Sequence, residues 1–181
     1  MKTMMGRLMA GVAVLTLAFV CVRADEEKVP LDKLPKAVSD AVKAKFPKAE
    51  MVGASKEKED GKEVFEVQLK QNKLNIDVTV SPEGKILGVE KEIEAKDLPK
   101  KVAEALETKY PKATIKLAEE LIKDDKLTGY ELVITTADKK MLEVVFDPDG
   151  KFVKEEKKEE EKEKKDEEKK KDGDKKKKDD K

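Results

Sequence analysis

Leu34-Pro35-Lys36-Ala37-Val38, followed by Phe46-Pro47-Lys48-Ala49, decides how this chain is built, because both stretches occur twice. They return as Leu98-Pro99-Lys100-Lys101-Val102 and Tyr110-Pro111-Lys112-Ala113, at one constant offset. Val29 and Ile93 share that offset. Further on, Val80-Ser81-Pro82-Glu83-Gly84-Lys85 returns as Phe146-Asp147-Pro148-Asp149-Gly150-Lys151, with two residues inserted on the way. Three blocks in the same order mark a duplicated unit.

Each unit opens with a helix. Val38, Val42 and Phe46 recur every four residues, as do Val102, Leu106 and Tyr110, which lays one apolar stripe along each helix. Pro35 and Pro99 suit a first helical turn. Pro47 and Pro111 end the helices, because the residue before a proline avoids helical geometry. The period then falls to two. Phe65, Val67 and Leu69 alternate with polar residues, as do Leu74, Ile76, Val78 and Val80, and then Leu87 and Val89. Tyr130, Leu132 and Ile134, then Leu142, Val144 and Phe146, then Phe152, repeat the pattern. Alternation of this kind predicts antiparallel strands with one buried and one wet face. Weaker strands are expected at 50–55 and 114–121. Gln71-Asn72-Lys73, Ala137-Asp138-Lys139, Pro82-Glu83-Gly84 and Pro148-Asp149-Gly150 read as turns.

The expected fold is α+β: two tandem helix-plus-antiparallel-sheet units with both helices on one face of the sheet. The opposite face carries Glu66, Gln68, Asn75, Asp77 and Thr79, which are expected to stand in water as the candidate binding face. Whether the units share one sheet stays open at this point.

The ends read differently. Lys2 and Arg7 precede an uncharged, mostly apolar run from Leu8 to Val22, too short to span a bilayer, and Val22-Arg23-Ala24 suits a signal peptidase. Cleavage is expected between Ala24 and Asp25, giving a periplasmic or secreted protein with no transmembrane segment in the mature chain. Lipidation at Cys21 fits less well, because Val20 precedes it. The expected division is 1–24 signal peptide, 25–91 unit 1, 92–153 unit 2 and 154–181 charged tail. That tail holds 14 Lys, 13 acids and one Gly, too little apolar surface for a core, and reads as disordered or transiently helical. Its basic stretch from Lys169 to Lys178 is suited to weak contact with an anionic surface.

Composition narrows the chemistry. The chain has no His, no Trp and one Cys, and that Cys lies in the signal. The usual general base and any thiol nucleophile are therefore missing from the mature chain. Ser39, Ser55 and Ser81 sit in no nucleophile elbow. Glu66 and Asp77 can face each other across strands, but their alternation reads as a solvated face. Asp147-Pro148-Asp149-Gly150 resembles the start of a calcium loop, yet the twelfth position is Lys158 rather than Glu. No catalytic residue, metal ligand or cofactor is expected. Removing the signal leaves 38 basic and 41 acidic residues, a net of −3, which argues neither for nucleic acid nor for a membrane surface. The six aromatics outside the signal, Phe46, Phe65, Tyr110, Tyr130, Phe146 and Phe152, all fall on apolar stripes and are expected in the core.

The signal, the Leu-Pro-x-x-Val…Phe/Tyr-Pro-x-Ala helix and the Pro-x-Gly-Lys turns resemble the PepSY-like, beta-lactamase-inhibitor-like family of exported bacterial proteins. The resemblance covers about residues 29–153. It implies helices on one side of an antiparallel sheet, and binding or inhibition of an unidentified protein outside the cytoplasm. Inhibitors of this type carry disulfides and aromatic-rich surfaces, which this chain lacks, so no functional residue carries over. The alternative is a structural or stress-related envelope protein acting through its charged tail.

Overall fold

The computed structural model describes residues 27–59 and 61–158. Its order is β1 (Glu27–Lys28), α1 (Lys36–Lys45), β2 (Glu50–Glu59), β3 (Lys62–Gln71), β4 (Leu74–Val80) and β5 (Ile86–Glu92). Then come α2 (Lys100–Lys109), β6 (Thr114–Lys123), β7 (Lys126–Thr135), β8 (Met141–Phe146) and β9 (Phe152–Lys157). A short 3-10 turn precedes each helix, at Leu31–Lys33 and Ala95–Asp97. Among the described residues the nine strands form one antiparallel sheet in strict chain order.

One sheet results because β5 serves both units. It pairs with β4 as the last strand of the first unit. Its end also does for β6 what β1 does for β2. Glu27 and Lys28 pair with Lys56 and Ser55, and Lys91 and Glu92 pair with Glu120 and Glu119. The backbone N–H of Val29 donates to Ala54 and that of Ile93 to Ala118, both at 2.9 Å. A shared strand leaves no open edge between the units, where unpaired backbone groups would otherwise invite foreign strands.

Each helix covers its own half of one face. Val38 and Val42 of α1 are fully buried over Val67, Leu69, Ile76, Val78 and Val80. Val102 and Leu106 of α2 lie over Leu132, Ile134, Val144 and Phe146. Ile122 of β6 packs into the first core, tying the halves together on the helix side. Phe65, Tyr130 and Phe146 are buried as expected. Phe46, Tyr110 and Phe152 are only half-buried, because each sits at the margin of a helix or of the sheet. The Tyr110 hydroxyl reaches the Glu155 carboxylate, and Lys109 Nζ lies 3.9 Å from the Phe152 ring centroid.

Turns set the register. Asn72 and Lys73 both take positive φ (53° and 72°), the two-residue hairpin that matches strand twist. Gly84 and Gly150 have φ of 87° and 82°, and a β-carbon there would lie 2.6 Å from the Ala37 carbonyl oxygen and 2.5 Å from that of Lys101. Glycine thus permits both the turn and its close approach to the helix. The two residues inserted in the second unit are also located by register. One is Thr128, a bulge in β7, where pairing slips between Leu121–Gly129 and Ile122–Leu127. The other lengthens the β7–β8 turn relative to the Asn72-Lys73 hairpin.

Two boundaries differ from the sequence reading. The first weak strand runs to Glu59, well past Ala54, its last apolar residue, and the second runs to Lys123, two residues beyond the expected end. The tail does not begin at Lys154: residues 154–157 belong to β9, pairing with β8 from Phe146–Phe152 to Leu142–Lys157. The signal peptide, the Ala24–Asp25 bond and the chain from residue 159 onward, including Lys169 to Lys178, lie outside the described residues. Among the described residues no helix is long and apolar enough to cross a membrane.

Candidate functional site

Cross-strand partners share a face, so the register itself defines the surface opposite the helices. Gln68 is opposite Asp77, Glu66 opposite Thr79, and Asn75 opposite Lys70. The five expected residues therefore do come together on that face. Their environment is drier than alternation implies: Asn75 is exposed, but Glu66, Gln68, Asp77 and Thr79 are half-buried. Strands flank β3 and β4 on both sides, and neighbouring side chains on the same face screen one another from water. Asn75 donates from its side-chain amide (2.7 Å) and its backbone N–H (2.8 Å) to Glu92 of β5. Gln68 Nε2 donates to Glu66 at 3.4 Å. Burial, then the charges of Asp77 and Glu57, pushes the Glu66 carboxyl up to about 7.

The acidic surface extends beyond those five residues. Asp77 is opposite Glu90 of β5, Glu92 is opposite Glu119 of β6, and Glu119 is opposite Glu131 of β7. Glu143 of β8 continues it on the same face, opposite Val133. The Glu90, Glu119 and Glu131 carboxylates converge, each offering an oxygen within 4.8 Å of the others. Glu119 is 6 % exposed, an unusual place for an acid. Burial, then Glu90 and Asp77, pushes its carboxyl up to about 8. Burial, then Asp77 and Glu143, raises Glu90. Burial, then Glu143 and Glu90, raises Glu131. Lys154 and Lys158 stand at the β9 end, where Lys158 meets Glu143 at 3.1 Å and Lys154 meets Glu156 at 3.1 Å.

The second unit's share of this face also has an apolar floor. Val133 and Val145 are buried there, and Leu117 and Leu121 half-buried. Reading the sequence one strand at a time misses the convergence, because its three acids come from three strands with no ligand-like spacing. The repeat holds a usable signal: Ser55 and Glu119 are equivalent, so an acid replaces a hydroxyl at a position with a known neighbour.

On the helix side, a cleft of about 400 Å³ lies beside Phe46, Pro47, Leu74 and Ile76, with Lys45 and Lys91 at its rim. Both cations are engaged, Lys45 with Asp125 and Lys91 with Glu120 at 3.3 Å. The open acidic face therefore offers the greater concentration of chemistry.

Several solved structures share this fold. A DUF2874 family protein from Bacteroides uniformis superimposes with a TM-score of 0.58 at 13 % identity, covering 68 % of this chain and 88 % of that one. A protein from Bacteroides eggerthii, described as a candidate periplasmic protein, gives 0.58 at 13 % identity with the same coverages. A BLIP-like protein from Bacteroides fragilis gives 0.53 at 18 % identity, covering 67 % and 84 %. No curated protein matches the chain significantly. The beta-lactamase-inhibitor-like, PepSY-like family profile matches twice in tandem, over residues 20–88 and 87–154, one match for each copy of the helix-and-sheet unit. The chain therefore belongs to the beta-lactamase-inhibitor-like, PepSY-like family, as a protein of two tandem units.

Proposed function

We propose that this is a non-enzymatic protein acting outside the cytoplasm, and that its open sheet face binds, and in binding inhibits, another protein. The observation that carries the reading is the gathering of Glu66, Gln68, Asn75, Asp77 and Thr79 on the face the helices leave uncovered. Both helices are spent on the cores beneath them, so the opposite face is the broad surface available to a partner. Its acids favour a partner presenting Lys and Arg, which such charges would steer and orient. Family membership supports a binding role, and fold neighbours described as periplasmic candidates support the compartment.

Crosslinked capture from the native cell envelope tests this. The baits are residues 25–158, which keep β9 whole, and 25–181. One dominant protein retained by both baits, and lost when Glu66 and Asp77 are changed to Lys, is the expected result. Capture indifferent to those changes rules out the sheet face. Capture by the longer bait alone assigns binding to the charged tail.

A further inference from the structure

The open sheet face already holds lysines from the end of the described chain. Lys154 is opposite Val145, and its side chain is only 18 % exposed, with the ammonium 3.1 Å from Glu156 and 3.8 Å from Glu143. Lys158, the last described residue, meets Glu143 at 3.1 Å. It also lies near enough to Glu119 and Glu131 to draw both carboxyls down against the burial that raises them. A lysine side chain docks where a surface offers apolar ground for its methylene stem and a carboxylate for its ammonium. The second unit's half of the face offers both, with Val133 and Val145 buried as its floor and Glu119, Glu131 and Glu143 on the strands around them. The chain beyond supplies more lysines. Residues 169–178 hold seven Lys and two Asp, a net of +5. Residues 159–168, which come first, hold three Lys and seven acids, a net of −4, so an acidic face repels them and selects the stretch that follows.

We propose that residues 169–178 fold back onto the open sheet face and lay their lysines on its second half, over Val133 and Val145 and among Glu119, Glu131 and Glu143. The reach is ample. Ten extended residues span about 33 Å, whereas the three strand steps from β9 to β6 cover only about 14 Å. So short a tether holds the stretch at an effective concentration on the order of mM, and contacts too weak to join separate molecules become populated within one. The first unit's half is the poorer seat, because Ser55, Gln68 and Thr79 stand where the second unit has Glu119, Val133 and Val145. The contact itself does not depend on which protein, if any, docks on the face. Its consequence rests on the function proposed above: a partner presenting Lys and Arg must displace the stretch, which makes the tail a built-in competitor for that surface.

Paramagnetic broadening in the chain of residues 25–181 tests it. Those residues contain no cysteine, so Gly173→Cys gives a nitroxide one attachment point. Backbone amide signals are compared with the nitroxide oxidised and then reduced. The amides of Glu119, Glu131 and Val145 should broaden more than those of Val38 and Val102 on the helices. They should lose most of that broadening at about 1 M salt, where the Debye length is about 3 Å. Lys175→Glu, Lys176→Glu, Lys177→Glu and Lys178→Glu together should abolish it, and these positions lie beyond β9, so the core is untouched. Broadening that is absent, equal on both sides of the sheet, or unchanged by the four substitutions overturns the proposal. So does broadening that fades on dilution, which would put the stretch on a second copy instead. No partner is present in this experiment, so its failure is separate from failure of the capture test.

Discussion

The two units have the same backbone and different open faces. Ser55, Glu66 and Asp77 of the first correspond, through the register, to Glu119, Glu131 and Glu143 of the second. Gln68 and Thr79 correspond to Val133 and Val145. The helix faces match much more closely: Val38 with Val102, Val42 with Leu106, and Val67 with Leu132 are all buried. Duplication kept the residues that make a core and let the outward ones diverge. The first unit has a hydrogen-bonding surface, and the second a more acidic one set on an apolar floor. Function is thus to be sought where the copies differ.

The largest effect is expected from removing core volume beneath α2, in the half of the sheet that β5 joins to the first. Phe146→Ala should cost about 3–5 kcal/mol. Chemical denaturation should show one transition for the whole protein, shifted to lower denaturant, because β5 belongs to both units. Two separated transitions would break the picture of one cooperative sheet.

Next come the matched turns. Gly84→Ala and Gly150→Ala each force a positive-φ residue against a helix carbonyl, and each should cost about 1–3 kcal/mol. The comparison predicts nearly equal losses by thermal melting. Inequality would show that the second helix is held differently from the first.

Acidity sharpens the contrast between the open faces. Unfolded, a Glu titrates near about 4.3, whereas in the fold Glu66 titrates at about 7 and Glu119 at about 8. Between those limits the folded state holds more protons than the unfolded one, so stability falls as pH rises. Melting temperature should decline from about pH 5 to about pH 8. Glu119→Ser, which gives the second unit the first unit's residue, should flatten the decline. The reverse change, Ser55→Glu, should steepen it, and an unaltered slope in both would remove Glu119 as its source.

The smallest effect belongs to exposed ion pairs. Lys101 and Asp149 meet at 2.7 Å beside the Gly150 turn but are largely exposed. Lys101→Ala should leave the melting temperature unchanged within error, since solvent screens such pairs.

The duplication, both helices with their proline ends, the turns and the alternating strands are legible in the sequence, because each leaves a local signature in spacing or residue type. The sequence also placed Glu66, Gln68, Asn75, Asp77 and Thr79 on one face, since period two leaves no other choice. It missed the last strand, because from Lys154 onward apolar residues no longer mark the alternation. Long lysine and glutamate side chains can cover a sheet face with their stems. The repeat could have recovered it, for β5 shifted by the offset of the turn block falls on Phe152 and beyond. Tertiary structure alone decided that β5 serves two units and that Glu90, Glu119 and Glu131 converge. Both follow from which strands become neighbours, and pairing across a sheet is a long-range choice that no spacing along one strand records.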